Sequence, residues 1–214
     1  MLNVLTGKVC PSGKLNETYP LHYEDTPAYE YYPSKERSSE YREGLYVGYR
    51  YYTTVGKKVR FPFGFGLSYT TFTYRDLTVD PEGVKFKIQN TGTVAGTEIA
   101  QLYVGKESDS VFRPLRELKG FARVELAPGE EKEVKILFDD KTFRFYDTRT
   151  DSWEVETGTY QIMIGSNAEE MLLEGSLAVN GTVTEGGYSR EELPEYFSGE
   201  IKNISDDTFR RLYG

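Results

Sequence analysis

The chain of 214 residues carries 34 acidic side chains. Carboxylate pairs for acid–base hydrolysis, which stand about 5–5.5 Å apart in retaining glycosidases, can therefore be drawn almost anywhere and signify nothing alone. Glu43, in "YREG", is the most suggestive carboxylate, set among aromatic residues beside Gly44. Its ordinary reading is structural, as acceptor for backbone N–H groups or for Arg42 or Arg50. Asp139-Asp140 and Asp206-Asp207 read as turn and helix-start residues. The single cysteine, Cys10, and the single histidine, His22, are too few for a dedicated zinc site. A serine or cysteine nucleophile would depend on His22 alone, and no elbow motif surrounds any serine. Cys10 reads as a small buried hydrophobe, and His22 as solvated or packed on tyrosine. "GFGLS" fits neither phosphate-loop spacing. "NET" and "NGT" match the glycosylation pattern by chance. No catalytic residue, metal ligand or cofactor is assigned.

Charge narrows the partners. With 26 basic and 34 acidic residues the formal net charge is −8, which disfavours nucleic acid and an anionic membrane surface. No run approaches the roughly 20 apolar residues of a membrane span. "MLNVLTGKVCPSG" lacks the basic and apolar regions of a signal peptide, so the expected compartment is cytoplasmic.

The elements that would position any site fall into distinct stretches. Residues 1–66 hold ten of the eighteen tyrosines, with prolines at 11, 20, 27 and 33 and weak periodicity. This predicts an extended aromatic segment that is no domain by itself. Tyrosine offers a large apolar face and a polar tip, suited to a partly wet interface or to stacking on sugar rings. Residues 67–180 alternate with period two. Val84, Phe86 and Ile88 share a face, as do Ala100, Leu102 and Val104; Val134, Ile136 and Phe138; Tyr160, Ile162 and Ile164. Asp80-Pro81-Glu82-Gly83 suits a type I turn, and Pro128-Gly129 joins two further strands. Seven or so strands with no helical pattern between them predict a mainly β chain: an antiparallel sandwich of the immunoglobulin or fibronectin III kind. Residues 181–214 form a tail with two short helices, one capped by Ser189 with Glu192, the other by Ser205, with Gly214 just past its end.

Several motifs then carry a likeness. "PSGKL" (11–15), Thr18-Tyr19-Pro20, "YREGLYVGYRYY" (41–52) and "FPFGFGLSYTTF" (61–72) resemble the C-terminal stretch of glycoside hydrolase family 3. "NTGTVAGTEIAQLYVG" (90–105), "RPLRELKGFARVELAPGEEKEV" (113–134) and "GTYQIMIGSN" (158–167) resemble that family's fibronectin type III-like domain. The resemblance runs from about residue 3 to residue 180. It implies a parent enzyme with a TIM-like barrel holding an Asp nucleophile and an α/β sandwich holding a Glu acid/base. Neither motif occurs here, so no catalytic residue is carried over. Residues 1–20 would be the end of the α/β sandwich, 21–66 an aromatic linker, 67–180 the fibronectin-like domain, and 181–214 a linker resembling the permuted members in which the barrel follows.

The resemblance makes Tyr41, Glu43, Gly44, Tyr49, Arg50, Tyr51, Phe61, Phe63 and Phe65 the candidate domain-interface residues. The rings of "FPFGFG" would lie on the α/β sandwich of the parent. In isolation residues 1–66 would expose an apolar patch, and proteolysis would leave about residues 67–180. The alternative is an autonomous carbohydrate-binding or adhesion module using the tyrosines.

Overall fold

A computed structural model of the protein describes residues 2–34 and 37–213. In chain order the elements are α1 (Leu2–Leu5), β1 (Tyr19–Pro20), α2 (Tyr49–Thr54), β2 (Val59–Phe61), β3 (Phe72–Asp80), β4 (Gly83–Asn90), β5 (Gly96–Gly105) and β6 (Glu117–Leu126). They continue with β7 (Glu131–Leu137), β8 (Arg144–Asp147), β9 (Ser152–Val155), β10 (Gly158–Gly165), β11 (Met171–Val179), α3 (Pro194–Ser198) and α4 (Asp206–Tyr213).

The sheet β3-β4-β7 faces the sheet β11-β10-β5-β6, with all neighbours antiparallel. This is the fibronectin III-like sandwich that the alternation predicts. Its core is built from the inward faces already named: Val84, Phe86 and Ile88 meet Ala100, Leu102, Tyr160, Ile162 and Ile164. The turn into β4 is fixed by Asp80, whose Oδ1 accepts the N–H groups of Glu82 (2.9 Å) and Gly83 (3.2 Å). Pro128-Gly129 carries the chain from one sheet to the other rather than closing a hairpin. The Tyr160 hydroxyl donates back to Glu156 O at 2.9 Å, the tyrosine corner of such sandwiches. At the opposite strand end Asn90 is buried and fully satisfied. Its Nδ2 donates to Val94 O (2.9 Å) and Leu126 O (3.1 Å), while Oδ1 accepts from Thr70 and Gly92.

Two local expectations shift. The aromatic segment is not extended throughout, because Tyr49–Thr54 forms a helix and Tyr23–Asp25 a 3-10 turn. Ser189 caps no helix: Oγ accepts from Glu191 N–H in a turn (3.2 Å), and Pro194 opens α3 four residues later than a Ser189 cap requires. Ser205 does cap α4, accepting from Thr208 N–H at 3.1 Å. Gly214 lies outside the described residues. Cys10 is half-buried, and its Sγ accepts the Tyr69 N–H at 3.3 Å; His22 is exposed.

Candidate interdomain site

The rings of "FPFGFG" rest first on this chain's own sandwich. Strand β5 turns Ala100, Leu102 and Val104 inward, which sends Gln101 and Tyr103 to the outer face, yet both are buried. What covers them is the N-terminal segment. Phe63 lies 4.9 Å from Tyr49, centroid to centroid, and Tyr49 lies 5.9 Å from Tyr103 in edge contact. Polar bonds fix the register. Ala168 N–H donates to Phe63 O (2.9 Å), Leu118 N–H to the Tyr49 hydroxyl (2.8 Å), and Gln101 Nε2 to Gly64 O (3.3 Å) and Ser166 O (2.8 Å). Lys14 reaches Glu98 at 3.0 Å, with both side chains largely buried. Gly64 sits at φ +80, and a Cβ there would collide with the Gln101 carboxamide. Gly64→Ala is therefore expected to destabilise the chain by about 2 kcal/mol, from a disfavoured left-handed backbone and a displaced buried amide. Urea unfolding of the two proteins measures it.

The second arrangement ties the two ends of the chain together. Tyr46, Tyr51 and Tyr52 from the N-terminal segment share one core with Leu193, Tyr196, Ile201 and Ile204 from the tail, closed by Phe112 from the sandwich. The phenols thread it: Tyr46 OH donates to Tyr196 O, and Tyr196 OH donates to Arg42 O at 3.0 Å. Arg42 completes a clasp. Its Nη1 donates to Ile204 O (3.0 Å), its other nitrogens meet Glu40 and Asp206, and its plane lies over the rings of Tyr31 (4.8 Å) and Phe209 (5.1 Å). Tyr31 OH donates to the same Ile204 carbonyl at 3.1 Å. Burial pushes the Tyr52 phenol up to about 12 and raises Tyr46 as well, so neither ionises near neutrality. The hydrogen bond from Arg42 holds the Asp206 carboxyl below its ordinary range. That contribution is complete above the ordinary carboxylate range and is lost only as pH falls through the lowered value.

The nine candidate interface residues part company here. Tyr51 is 2% exposed inside the clasp, and Tyr49 and Phe63 cover the sandwich, so these rings are engaged within the chain. Tyr41 is 74% exposed. Phe61 stands at the surface, 5.1 Å from Phe65 and 6.4 Å from Tyr19. Gly44 is exposed at φ +54. Glu43 is half-buried and accepts no side-chain hydrogen bond among the described residues: Arg42 pairs with Glu40 and Asp206, and Arg50 with Glu117 at 3.5 Å. The rings left facing outward are thus Tyr41, Phe61 and in part Phe65. Among the described residues no group of three or more His, Cys, Asp or Glu side chains could hold a metal, and no helix is long and apolar enough to cross a membrane.

Sequence reading missed Arg42, Tyr196 and Gln101, all of which act across large sequence separations. It also missed Glu156, buried beneath the β8–β9 hairpin. Glu156 accepts from Arg113 (2.6 Å) and Ser108 (2.8 Å) and lies 3.3 Å from Lys106.

Residues 98–168 match the family model of the fibronectin type III-like domain. The thermostable beta-glucosidase B of Acetivibrio thermocellus is 46% identical over 191 residues, covering 86% of this chain and 25% of that protein. The probable beta-glucosidase K of Emericella nidulans is 46% identical over 187 residues, again 86% of this chain and 22% of its own. The crystal structure of a GH3 beta-glucosidase from Bifidobacterium adolescentis superposes with TM-score 0.81 at 33% identity, covering 94% of this chain and 31% of that one. The chain belongs to glycoside hydrolase family 3. It spans about a quarter of the length of the curated family 3 relatives it matches. In those full-length proteins the equivalent segment sits with other domains. Within the family 3 segment, the outer face of β5 and the clasp between N-terminal segment and tail are the surfaces that set where entering and leaving chain stand.

Proposed function

We propose that this chain is a non-catalytic bracing segment of a family 3 β-glucosidase. The parent reaction is retaining hydrolysis of a terminal β-linked glucose or related sugar, in which an Asp attacks and a Glu protonates the leaving oxygen and then activates water. Both groups reside on other parts of the parent. In this reading residues 1–20 close an α/β sandwich, 21–66 link it to the fibronectin-like domain at 67–180, and 181–214 lead on to a TIM-like barrel. The observation that carries the proposal is the clasp. Arg42 and Tyr46 on the entering segment and Tyr196 and Ile204 on the leaving one are held in one core against the sandwich. Domains attached at either end would inherit a fixed relative placement. Burial of Tyr46, Tyr51 and Tyr52 supports bracing over sugar stacking by the tyrosine segment. The purified chain is expected to hydrolyse 4-nitrophenyl β-glucoside no faster than buffer. Turnover that co-purifies with the chain and vanishes in Glu43→Gln would overturn this reading.

A further inference from the structure

A cavity of about 500 Å³ opens at one end of the sandwich, between the β8–β9 hairpin, the entering segment at Gly44-Leu45 and the tail at Tyr188 and Leu212. It has the size of a small-molecule site. Its walls are aromatic: Phe143, Phe145, Tyr146, Trp153 and Tyr188. Its charge is one-sided. Lys106, Arg113, Lys119, Lys141 and Arg144 line it, against the single lining carboxylate Glu117. Glu156 behind the wall offsets Lys106 and Arg113, Glu117 offsets Lys119 (3.3 Å) and Asp140 offsets Arg144 (2.9 Å). Lys141 is exposed and makes no ion pair within 4.0 Å among the described residues, though its charge also acts on the neighbouring Asp139 carboxylate. The Arg113 guanidinium pairs with Glu156 and lies over the Phe145 and Tyr160 rings, and its Nε is buried without an acceptor, out of the cavity's reach. A surplus of positive charge in a chain of net charge −8 is a local feature that asks for an anion.

The neutral polar groups on the wall decide the rest of the ligand. The Tyr146 hydroxyl donates to Asp151, those of Thr148 and Tyr188 share a hydrogen bond (3.2 Å), and the Thr142 hydroxyl donates to Asp139 (3.0 Å). Few partners remain for the many hydroxyls of a sugar, while a flat apolar ring needs none. We propose that this cavity binds a small aromatic carboxylate, its ring against Tyr146 and the face of Trp153 that Arg144 leaves open, and its carboxylate toward Lys141. The inference is independent of the bracing role.

Trp153 is the only tryptophan in the chain, so its indole N–H gives one identifiable resonance in an ¹H–¹⁵N spectrum of the 214-residue protein. Titration with 4-hydroxycinnamate is expected to move that resonance saturably. The methyl ester should bind about tenfold more weakly, having lost the charge-assisted contacts. Lys141→Ala, a rim substitution whose spectrum must stay dispersed, should weaken the acid by about three- to tenfold and leave the ester unchanged. Equal binding of acid and ester would overturn the assignment. So would a saturable shift with glucuronate in place of the cinnamate, which would mark a saccharide site, and so would an unmoved resonance with every probe.

Discussion

Tyr196→Ala is expected to release the tail from the entering segment and loosen the core they share. Tyr196 is fully buried, its ring lies 5.4 Å from Phe112, and its hydroxyl donates to Arg42 O. Truncation removes a large aromatic side chain from the centre of a small core, which costs about 3–5 kcal/mol. Among the described residues that core rests on eight buried side chains, so it has little capacity to repack. The sandwich has its own core around Phe86, Leu102 and Ile162, and the loss should therefore be read locally. Amides of α2 and of residues 196–204 lose hydrogen-exchange protection, while those of β4, β5 and β10 retain theirs. Tyr196→Phe, which keeps the ring and leaves Arg42 O without its phenol donor, should cost about 1 kcal/mol. Equal exchange in the wild type and Tyr196→Ala would mean that the clasp contributes nothing.

Glu156→Ala acts beside the clasp, where its partner Arg113 follows Phe112, and by a different mechanism. The Glu156 side chain is 6% exposed, and its partners Lys106 and Arg113 are 9% and 12% exposed. Removing the carboxylate leaves two cations with little water and no counter-charge, a loss of about 3–5 kcal/mol. Ser108 also loses its acceptor, and with it the loop in which Ser108 Oγ accepts from Val111 N–H at 3.0 Å. Glu156→Gln keeps the shape and the acceptor while removing the charge, and should fall about halfway between. Urea denaturation monitored by Trp153 emission reads both variants, because the tryptophan stands in the hairpin above this cluster. A Glu156→Ala protein as stable as the wild type would show that Lys106 and Arg113 find water instead.

The strands were legible because each sandwich strand buries alternate residues, and a period of two survives in "GVKFKIQN" or "GTYQIMIG" whatever surrounds it. The second core was not legible, and the reason is physical. Tyr46, Tyr51 and Tyr52 meet Tyr196 and Ile204 across about 150 residues of chain, and no local period marks a contact of that range. α2 is a six-residue helix, too short for its own amphipathic signature or for stability alone. The clustered tyrosines point to an interface with a separate domain; Tyr31, Tyr46, Tyr49, Tyr51 and Tyr52 instead face the chain's own tail and β5, while Tyr19, Tyr23, Tyr32 and Tyr41 are exposed. Gln101 was hidden for a related reason. A polar residue at an outward position normally meets solvent, and here it is roofed by Gly64.

Limited trypsin digestion of the 214-residue chain, followed by mass spectrometry, tests the central claim most directly. If the entering and leaving segments are folded onto the sandwich as one unit, Arg42 and Arg50, held in the clasp and against Glu117, stay uncut while the exposed chain ends are trimmed. Rapid cleavage at those two arginines, leaving a core of about residues 67–180, would contradict it.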